Sequence, residues 1–229
     1  GAGRVFVELA GANSDDGAGA IDPLRPELMF RRGWSASDPS VIAATTVVCG
    51  CGGGDAVRAT LPKLLSTAVR LVLDADALNA IAADPSLQAL VAARERRGNA
   101  TIMTPHPLEA ARLLGCPAAS VQADRLGSAR ELAARLRSVI VLKGSGTVIC
   151  APEGTTRVNA TGNASLASAG TGDVLAGWIG GRWASLAASA FDIATRGVVE
   201  HGAAADPESP GALRAGDLVE RLHLLAHGG

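Results

Sequence analysis

Along most of the chain, short runs of consecutive apolar residues alternate with longer segments in which apolar residues recur every three or four positions. Residues 70–73 (RLVL) and 138–142 (SVIVL) are examples of the runs, and Val57, Leu61 and Leu64 show the wider spacing. Continuous apolar runs are typical of strands buried on both faces, and the wider spacing is typical of helices with one buried face. The alternation predicts an α/β sandwich, with a mostly parallel central sheet and helices on both of its faces.

The predicted boundaries follow the ends of these patterns. Strands are predicted at residues 4–10, 27–31, the end of 41–50, 70–78 and 100–107, and as two strands joined by a glycine turn within 138–152. Helices are predicted at residues 38–44, 55–68, 86–94, 108–115, 123–136, 173–190, 191–205 and 215–226. The glycine-rich segment 11–22 is predicted to be a loop. Because no internal repeat or linker divides the chain, residues 1–229 are predicted to form one domain.

Composition narrows the ligand classes. The formal net charge is −1 and no block of like charges occurs, which favours a small neutral or anionic ligand over nucleic acid or an anionic membrane. No charged leader opens the chain, and no apolar run approaches the roughly 20 residues of a membrane span, so we expect a cytoplasmic protein. Its four cysteines are expected to be reduced thiols rather than metal ligands, because no C-x-x-C pair of pairs occurs.

The segment SAGTGDVLAGWIGG, residues 168–181, joins a glycine-rich turn to an apolar helix. Gly170 and Gly172 permit an unusual backbone, and Thr171 is predicted to cap the helix that Asp173 begins. Free N–H groups at a helix N-terminus suit a phosphate, and a neighbouring carboxylate can accept a proton from an attacking hydroxyl. The alternative is a capped structural helix with an acidic first turn.

Two further segments place polar side chains where predicted strands end. In DADALN, residues 74–79, the alternation of an extended chain would put Asp74 and Asp76 on one side, able to hold a metal or contact hydroxyls. The alternative is that an aspartate caps the next helix. In TPHP, two prolines bracket His106 and hold it ready to touch a ligand, unless it is a structural histidine.

Two glycine turns are candidates for phosphate contact. Lys143, one of only two lysines in the chain, opens KGSGT, where its charge and the N–H groups near Gly144 and Gly146 suit nucleotide oxygens. A plain β-hairpin would use the same residues. GCGGG, residues 50–54, lacks the last glycine of a dinucleotide fingerprint because residue 55 is Asp55, so a generic phosphate or sugar contact is favoured.

Taken in order, GCGGG, VLDADALN, TPHPLEAARLLG, VLKGSGTVI and GNASLASAGTGDVLAG strongly resemble the ADP/ATP-dependent NAD(P)H-hydrate dehydratases of the ribokinase-like superfamily, over residues 41–225. The resemblance implies a three-layer sandwich and a metabolite-repair enzyme. Such an enzyme uses ATP or ADP, with Mg²⁺, to convert hydrated NADH or NADPH back to the working cofactor. The ring hydroxyl attacks the terminal phosphate, and phosphate then leaves, expelled by the ring nitrogen.

The resemblance also implies roles for individual residues. Asp173 is the base that activates the hydroxyl, and no residue is implied as a metal ligand. The nucleotide-binding residues would be Lys143, Gly144, Ser145, Gly146, Thr147 and Gly172. The hydrate-binding residues would be His106, Gly52 and Asp173, with Asp74, Asp76 and Asn79 shaping the same pocket. A homo-oligomer, a tetramer in the family, is expected.

The sequence departs from the family pattern at three places. Members usually carry a further strand, a glycine-rich loop and a helix upstream of the segment matching GAGRV, and we expect this chain to begin after them. Leu108 stands where the family commonly has glycine, and Ala164, Ser165 and Leu166 stand near a usual Pro-Gly-Met. Many bacterial members are fused to an epimerase domain, which is expected upstream or as a separate partner.

The resemblance leaves two rival functions open. One is a relative that stops at phosphorylation, a vitamin or sugar kinase. The other is a catalytically silent nucleotide-binding subunit.

Overall fold

The computed structural model describes residues 3–9, 22, 24–206 and 213–227. Eight strands are assigned within these ranges: β1 (Val5–Val7), β2 (Leu28–Phe30), β3 (Thr46–Cys49), β4 (Arg70–Leu73), β5 (Ala100–Met103), β6 (Val139–Leu142), β7 (Val148–Cys150) and β8 (Thr156–Val158). The helices are α1 (Pro39–Ala43), α2 (Val57–Thr67), α3 (Ala75–Ala82), α4 (Pro85–Glu95), α5 (Pro107–Leu114), α6 (Ala118–Ala123), α7 (Arg125–Leu136), α8 (Thr171–Ser185), α9 (Ala190–Ala205) and α10 (Ala215–His227).

The main sheet has six strands in the order β3-β4-β5-β6-β7-β8. Neighbours from β3 to β6 are parallel, whereas β7 and β8 are added antiparallel. Strands β1 and β2 form a separate parallel pair. The parallel part therefore brings the carboxyl ends of four strands to one edge.

Alternating strand residues build two cores. Leu71 and Leu73 of β4 pack in the core shared with α2 through α7, whereas Val72 between them packs against α8 and α9. Helix α10 adds Leu218 and Leu222 to a third cluster beside α8 and α9. The predicted sandwich, mostly parallel and covered by helices on both faces, is confirmed.

Several predicted boundaries are wrong. Residues 74–78 are not strand, because β4 ends at Leu73 and α3 begins at Ala75; Asp74 and Asp76 therefore do not share one side of an extended chain. Helix α6 and strand β8 had no predicted counterpart. Strand β1 ends at Val7, before the predicted end at Ala10, and the predicted loop at 11–22 lies outside the described residues except for Asp22.

Side-chain caps explain where two helices start. The helix predicted at 173–190 ends at Ser185. The next helix starts after Ser189, whose hydroxyl caps it by accepting from the Asp192 N–H at 3.1 Å. Likewise, Asp124 separates α6 from α7 by accepting from the Gly127 N–H at 2.8 Å. Among the described helices, none combines the length and the hydrophobicity that crossing a membrane requires.

Candidate active site

The candidate site lies at the carboxyl edge of the parallel strands. The loops after β3, β4, β5 and β6 carry Gly50–Gly54, Asp74, His106 and Lys143, respectively. In an open parallel sheet this edge is where ligands bind, because the loops from neighbouring strands converge there. The sheet thus brings together four of the five segments singled out in the sequence, and the N-terminus of α8 supplies the fifth.

The glycine turn after β3 is packed tightly against the start of α3. Gly50 has φ of 119°, and a Cβ there would lie 1.9 Å from the Asp74 carbonyl oxygen, so no other residue fits without moving the backbone. Asp76 accepts a hydrogen bond from the Gly54 N–H at 2.8 Å and holds the far side of the turn. Gly52 also has positive φ, 64°, but faces open space.

Asp74 and Lys143 form the ion pair at the centre of the site. The Lys143 ammonium donates to Asp74 Oδ1 at 2.8 Å, and only 1% of the Asp74 side chain is exposed. Glu109 also lies near the ammonium, with Oε2 at 4.0 Å from Nζ. The lysine therefore has two buried carboxylates close to its charge, and 19% of its side chain is exposed.

His106 is the N-cap of α5. Its Nδ1 accepts from the N–H groups of Leu108 and Glu109 at 3.1 and 3.3 Å, while Glu109 accepts from the His106 N–H at 2.7 Å. This reciprocal arrangement is a capping box with histidine in place of the usual serine or threonine. About half of the ring stays exposed, so His106 has a structural role and still faces the site.

Asn79 lies one turn beyond Asp74 on α3. Its amide oxygen accepts from Arg112 of α5 at 2.7 Å. The contact joins α3 to α5, the two helices that begin after Asp74 and His106.

KGSGT forms the turn between antiparallel strands β6 and β7, so the hairpin geometry weighed in the sequence is present. Gly144 and Gly146 both have positive φ, 142° and 63°. Arg125, the first residue of α7, donates to the carbonyl oxygens of Leu142 and Ser145 and closes the inner side of the turn. These hydrogen bonds connect the turn to the start of α7.

The first turn of α8 faces Lys143 across the site. A Cβ on Gly172 would lie 3.3 Å from Lys143 Nζ. Gly170, at φ 81°, is the N-cap and leaves the helix without a side-chain cap. The predicted cap by Thr171 is wrong, because its hydroxyl donates to the carbonyls of Leu166 and Ser168 instead. Behind this turn, His201 Nε2 lies 2.9 Å from the Thr171 carbonyl.

Asp173 completes an acidic cluster with Cys51 and Asp74, whose potential ligand atoms lie within 4.8 Å of one another. Burial and the two carboxylates raise the pKa of the Cys51 thiol to about 12, so the thiol stays protonated. The two carboxylates supply the oxygen donors that Mg²⁺ prefers, whereas a thiol does not. The cluster therefore fits an ion shared between carboxylates and phosphate oxygens better than a dedicated protein cage.

Four residues of the site had not been singled out: Cys51, Glu109, Arg125 and His201. Glu109 had a sequence signal, because a glutamate three residues after an N-cap is the second half of a capping box. The other three act through contacts with distant segments and left no local signal.

Comparison with known proteins gives a consistent result. The sequence model of a family described as NAD(P)H-hydrate dehydratase matches residues 14–222. The ADP-dependent (S)-NAD(P)H-hydrate dehydratase of Neisseria meningitidis is 41% identical over 226 residues, which is 96% of this chain and 74% of that protein. Bifunctional NAD(P)H-hydrate repair enzymes also match, and the chain spans less than half of the length of those from Escherichia coli and Coxiella burnetii.

Solved structures share the fold. The ADP/ATP-dependent NAD(P)H-hydrate dehydratase of Bacillus subtilis, co-crystallized with ATP/Mg²⁺ and soaked with CoA, aligns with a TM-score of 0.71 and 32% identity, covering 89% of this chain and 74% of that one. A ribokinase-like superfamily protein of Enterococcus faecalis aligns with a TM-score of 0.73 over 97% of this chain and 76% of its own, at 22% identity, a likeness of fold alone.

The sandwich has the ribokinase-like α/β fold, and a helix N-terminus, an aspartate and a lysine meet at its carboxyl edge. Within that class, the family match covers most of the chain, and the Neisseria relative exceeds 40% identity. The chain belongs to the NAD(P)H-hydrate dehydratase family. The family resemblance and the fold class expected from the sequence are both confirmed.

Proposed function

We propose that this chain catalyses the nucleotide-dependent dehydration of hydrated NADH or NADPH, returning the working cofactor. The observation that carries the proposal is the meeting of three groups in one cleft. These are Asp173 in the first turn of α8, Gly172 opposite the Lys143 ammonium, and the KGSGT turn that follows Lys143.

The nucleotide side of the cleft consists of Lys143–Thr147 and Gly172. The lysine supplies positive charge, and the open N–H groups at the start of α8 add the positive end of the helix dipole. The terminal phosphate of ATP or ADP would lie between them, within reach of Asp173. Mg²⁺, when bound with the nucleotide, neutralises phosphate charge, and the carboxylates of Asp74 and Asp173 are the residues able to contact it.

The reaction assigned to Asp173 is proton removal. Asp173 takes the proton of the ring hydroxyl, whose oxygen then bonds to the terminal phosphorus while the bridging oxygen of the nucleotide leaves with its electron pair. The C–O bond of the phosphorylated hydroxyl next breaks, and the ring nitrogen lone pair supplies the electrons. Loss of a ring proton restores the reduced nicotinamide, with phosphate as the other product.

The hydrate side is assigned to His106 and Gly52, whose loops lie at the same edge of the sheet. Contacts refine the roles of the remaining pocket residues: Asp74 holds Lys143, Asp76 holds the glycine turn, and Asn79 is bound by Arg112. The names of the bifunctional relatives support a second repair activity acting on the same hydrates, which the family resemblance identifies as an epimerase. The homotetramer and the cytoplasmic location stay predictions.

The test is Asp173→Asn, assayed with hydrated NADH, ATP or ADP, and Mg²⁺ by recovery of the reduced nicotinamide absorbance. The variant is expected to fold, to bind nucleotide and to lose turnover by roughly 100- to 10,000-fold, the range of a general base. Asp217→Asn is the control, since Asp217 also lies in the first turn of a helix, α10. Near wild-type turnover of Asp173→Asn would remove Asp173 from the mechanism.

The same assay decides between the rival functions. A stable phosphorylated product from the wild-type chain would identify a kinase. Nucleotide binding, seen as a thermal shift, without turnover would identify a silent subunit.

A further inference from the structure

Glu109 is a buried carboxylate that contacts both halves of the site. Only 5% of its side chain is exposed. One oxygen, Oε2, accepts from the His106 N–H at 2.7 Å and lies 4.0 Å from Lys143 Nζ, while Oε1 lies 3.4 Å from His106 Nε2. A capping box uses only the first of these contacts, and glutamine serves it equally well. The charge of Glu109 therefore needs another explanation.

The histidine ring is held at Nδ1, and its other nitrogen lies near the Glu109 carboxylate. Nδ1 accepts from the Leu108 and Glu109 N–H groups, so a neutral ring carries its proton on Nε2. That nitrogen faces the carboxylate of Glu109. The neutral ring therefore has one tautomer, with its Nε2–H group 3.4 Å from Glu109 Oε1.

The same carboxylate also lies near Lys143, on the nucleotide side of the site. Lys143 Nζ lies 2.8 Å from Asp74 Oδ1 and 4.0 Å from Glu109 Oε2, so Glu109 adds a second negative charge near this ammonium. His106 and Lys143 come from loops after different strands, and Glu109 contacts both of them.

We propose that Glu109 is a positioning residue: its charge orients His106 toward the hydrate. This rests on the proposed function, in which His106 binds the hydrate and Lys143 binds the nucleotide. The negative charge of Glu109 favours hydrate binding through His106. It opposes phosphate binding, because the carboxylate lies close to the expected position of the nucleotide phosphates.

Glu109→Gln separates the charge from the cap, because glutamine retains the oxygen that accepts from the His106 N–H. We expect kcat/KM for the hydrate to fall about tenfold, because the negative charge beside the His106 ring is lost. Nucleotide affinity, measured by calorimetry, is expected to stay unchanged or increase. Glu95→Gln, which alters a surface ion pair with Arg137, is the matched control.

A double-mutant cycle with His106→Asn tests whether Glu109 acts through the histidine, since asparagine is a good N-cap without the ring. Glu109→Gln is expected to lower kcat/KM less in the His106→Asn background than in the wild-type background. Independent, additive losses would overturn the proposal. So would a Glu109→Gln variant that loses thermal stability but keeps hydrate kcat/KM.

A readout without substrate keeps this test distinct from that of the proposed function. In nitrogen-15 spectra of the ring, His106 is expected in the Nε2–H tautomer, and its Nε2–H signal is expected to move in Glu109→Gln. A ring protonated on Nδ1 alone, or an unmoved signal, contradicts the positioning role even if the chain has a different substrate.

Discussion

Lys143 and Asp74 meet at 2.8 Å although they come from loops after different strands, 69 positions apart in the sequence. The pair makes the lysine part of the buried structure as well as a candidate phosphate ligand. Removing one partner leaves the other charge unpaired, which in a buried pair is more costly than removing both. Stability and binding can therefore be separated at this pair.

We predict that Lys143→Met destabilises the protein by about 3 kcal/mol, because Asp74 is left buried and unpaired. Nucleotide affinity should fall in the same variant. The double variant Lys143→Met with Asp74→Asn should regain much of the stability and none of the nucleotide affinity. Urea unfolding and nucleotide titration measure the two quantities. Unchanged nucleotide affinity in Lys143→Met would show that KGSGT is an ordinary hairpin turn with no role in nucleotide binding.

Gly172→Ala is predicted to weaken nucleotide binding without destabilising the fold. The new Cβ would lie 3.3 Å from Lys143 Nζ, in the space that a phosphate would share with the ammonium. Alanine in a helix is favoured over glycine by about 1 kcal/mol, so the unfolding free energy should not fall. Gly177→Ala is the control on the same helix, since no atom other than its chain neighbours and its own helix backbone lies within 4 Å of its Cβ position. Equal nucleotide affinity in both variants would place the phosphate elsewhere.

His201 is predicted to make stability depend on pH. Burial, the largest cause, lowers its pKa below the ordinary 6.5, with Lys143 acting in the same direction and the Thr171 contact opposing. As pH falls through 6.5, the unfolded chain therefore gains a proton that the folded chain does not take up until a lower pH, so the unfolding free energy falls.

His201→Gln removes this titration and keeps an N–H donor near the Thr171 carbonyl. Between about pH 7.5 and about pH 5.5, we expect the variant to lose less stability than the wild type, by about 1 kcal/mol. Unfolding curves at the two pH values measure the difference, and His223→Gln, at an exposed position of α10, is the control. Equal losses in wild type and His201→Gln would show that His201 does not titrate differently on folding.

The sequence alone predicted the elements whose signal is local. Apolar runs such as RLVL and helical spacings such as Val57, Leu61 and Leu64 depend only on residues that are close in the sequence. They predicted the correct fold class. Where a cap decides a boundary, the prediction was less good: α7 starts after Asp124 rather than at 123, and the helix predicted to reach residue 190 ends at Ser185, before the cap Ser189.

Within the site, residue types and their order sufficed to single out Asp173, Lys143 and His106, and the family resemblance they support is confirmed. What only the tertiary structure decided is how these groups meet. Glu109 lies beside Lys143, Arg125 closes the KGSGT turn, and His201 supports the first turn of α8. These contacts depend on the register of parallel strands and on helix packing across long sequence separations, and no local pattern specifies either of them.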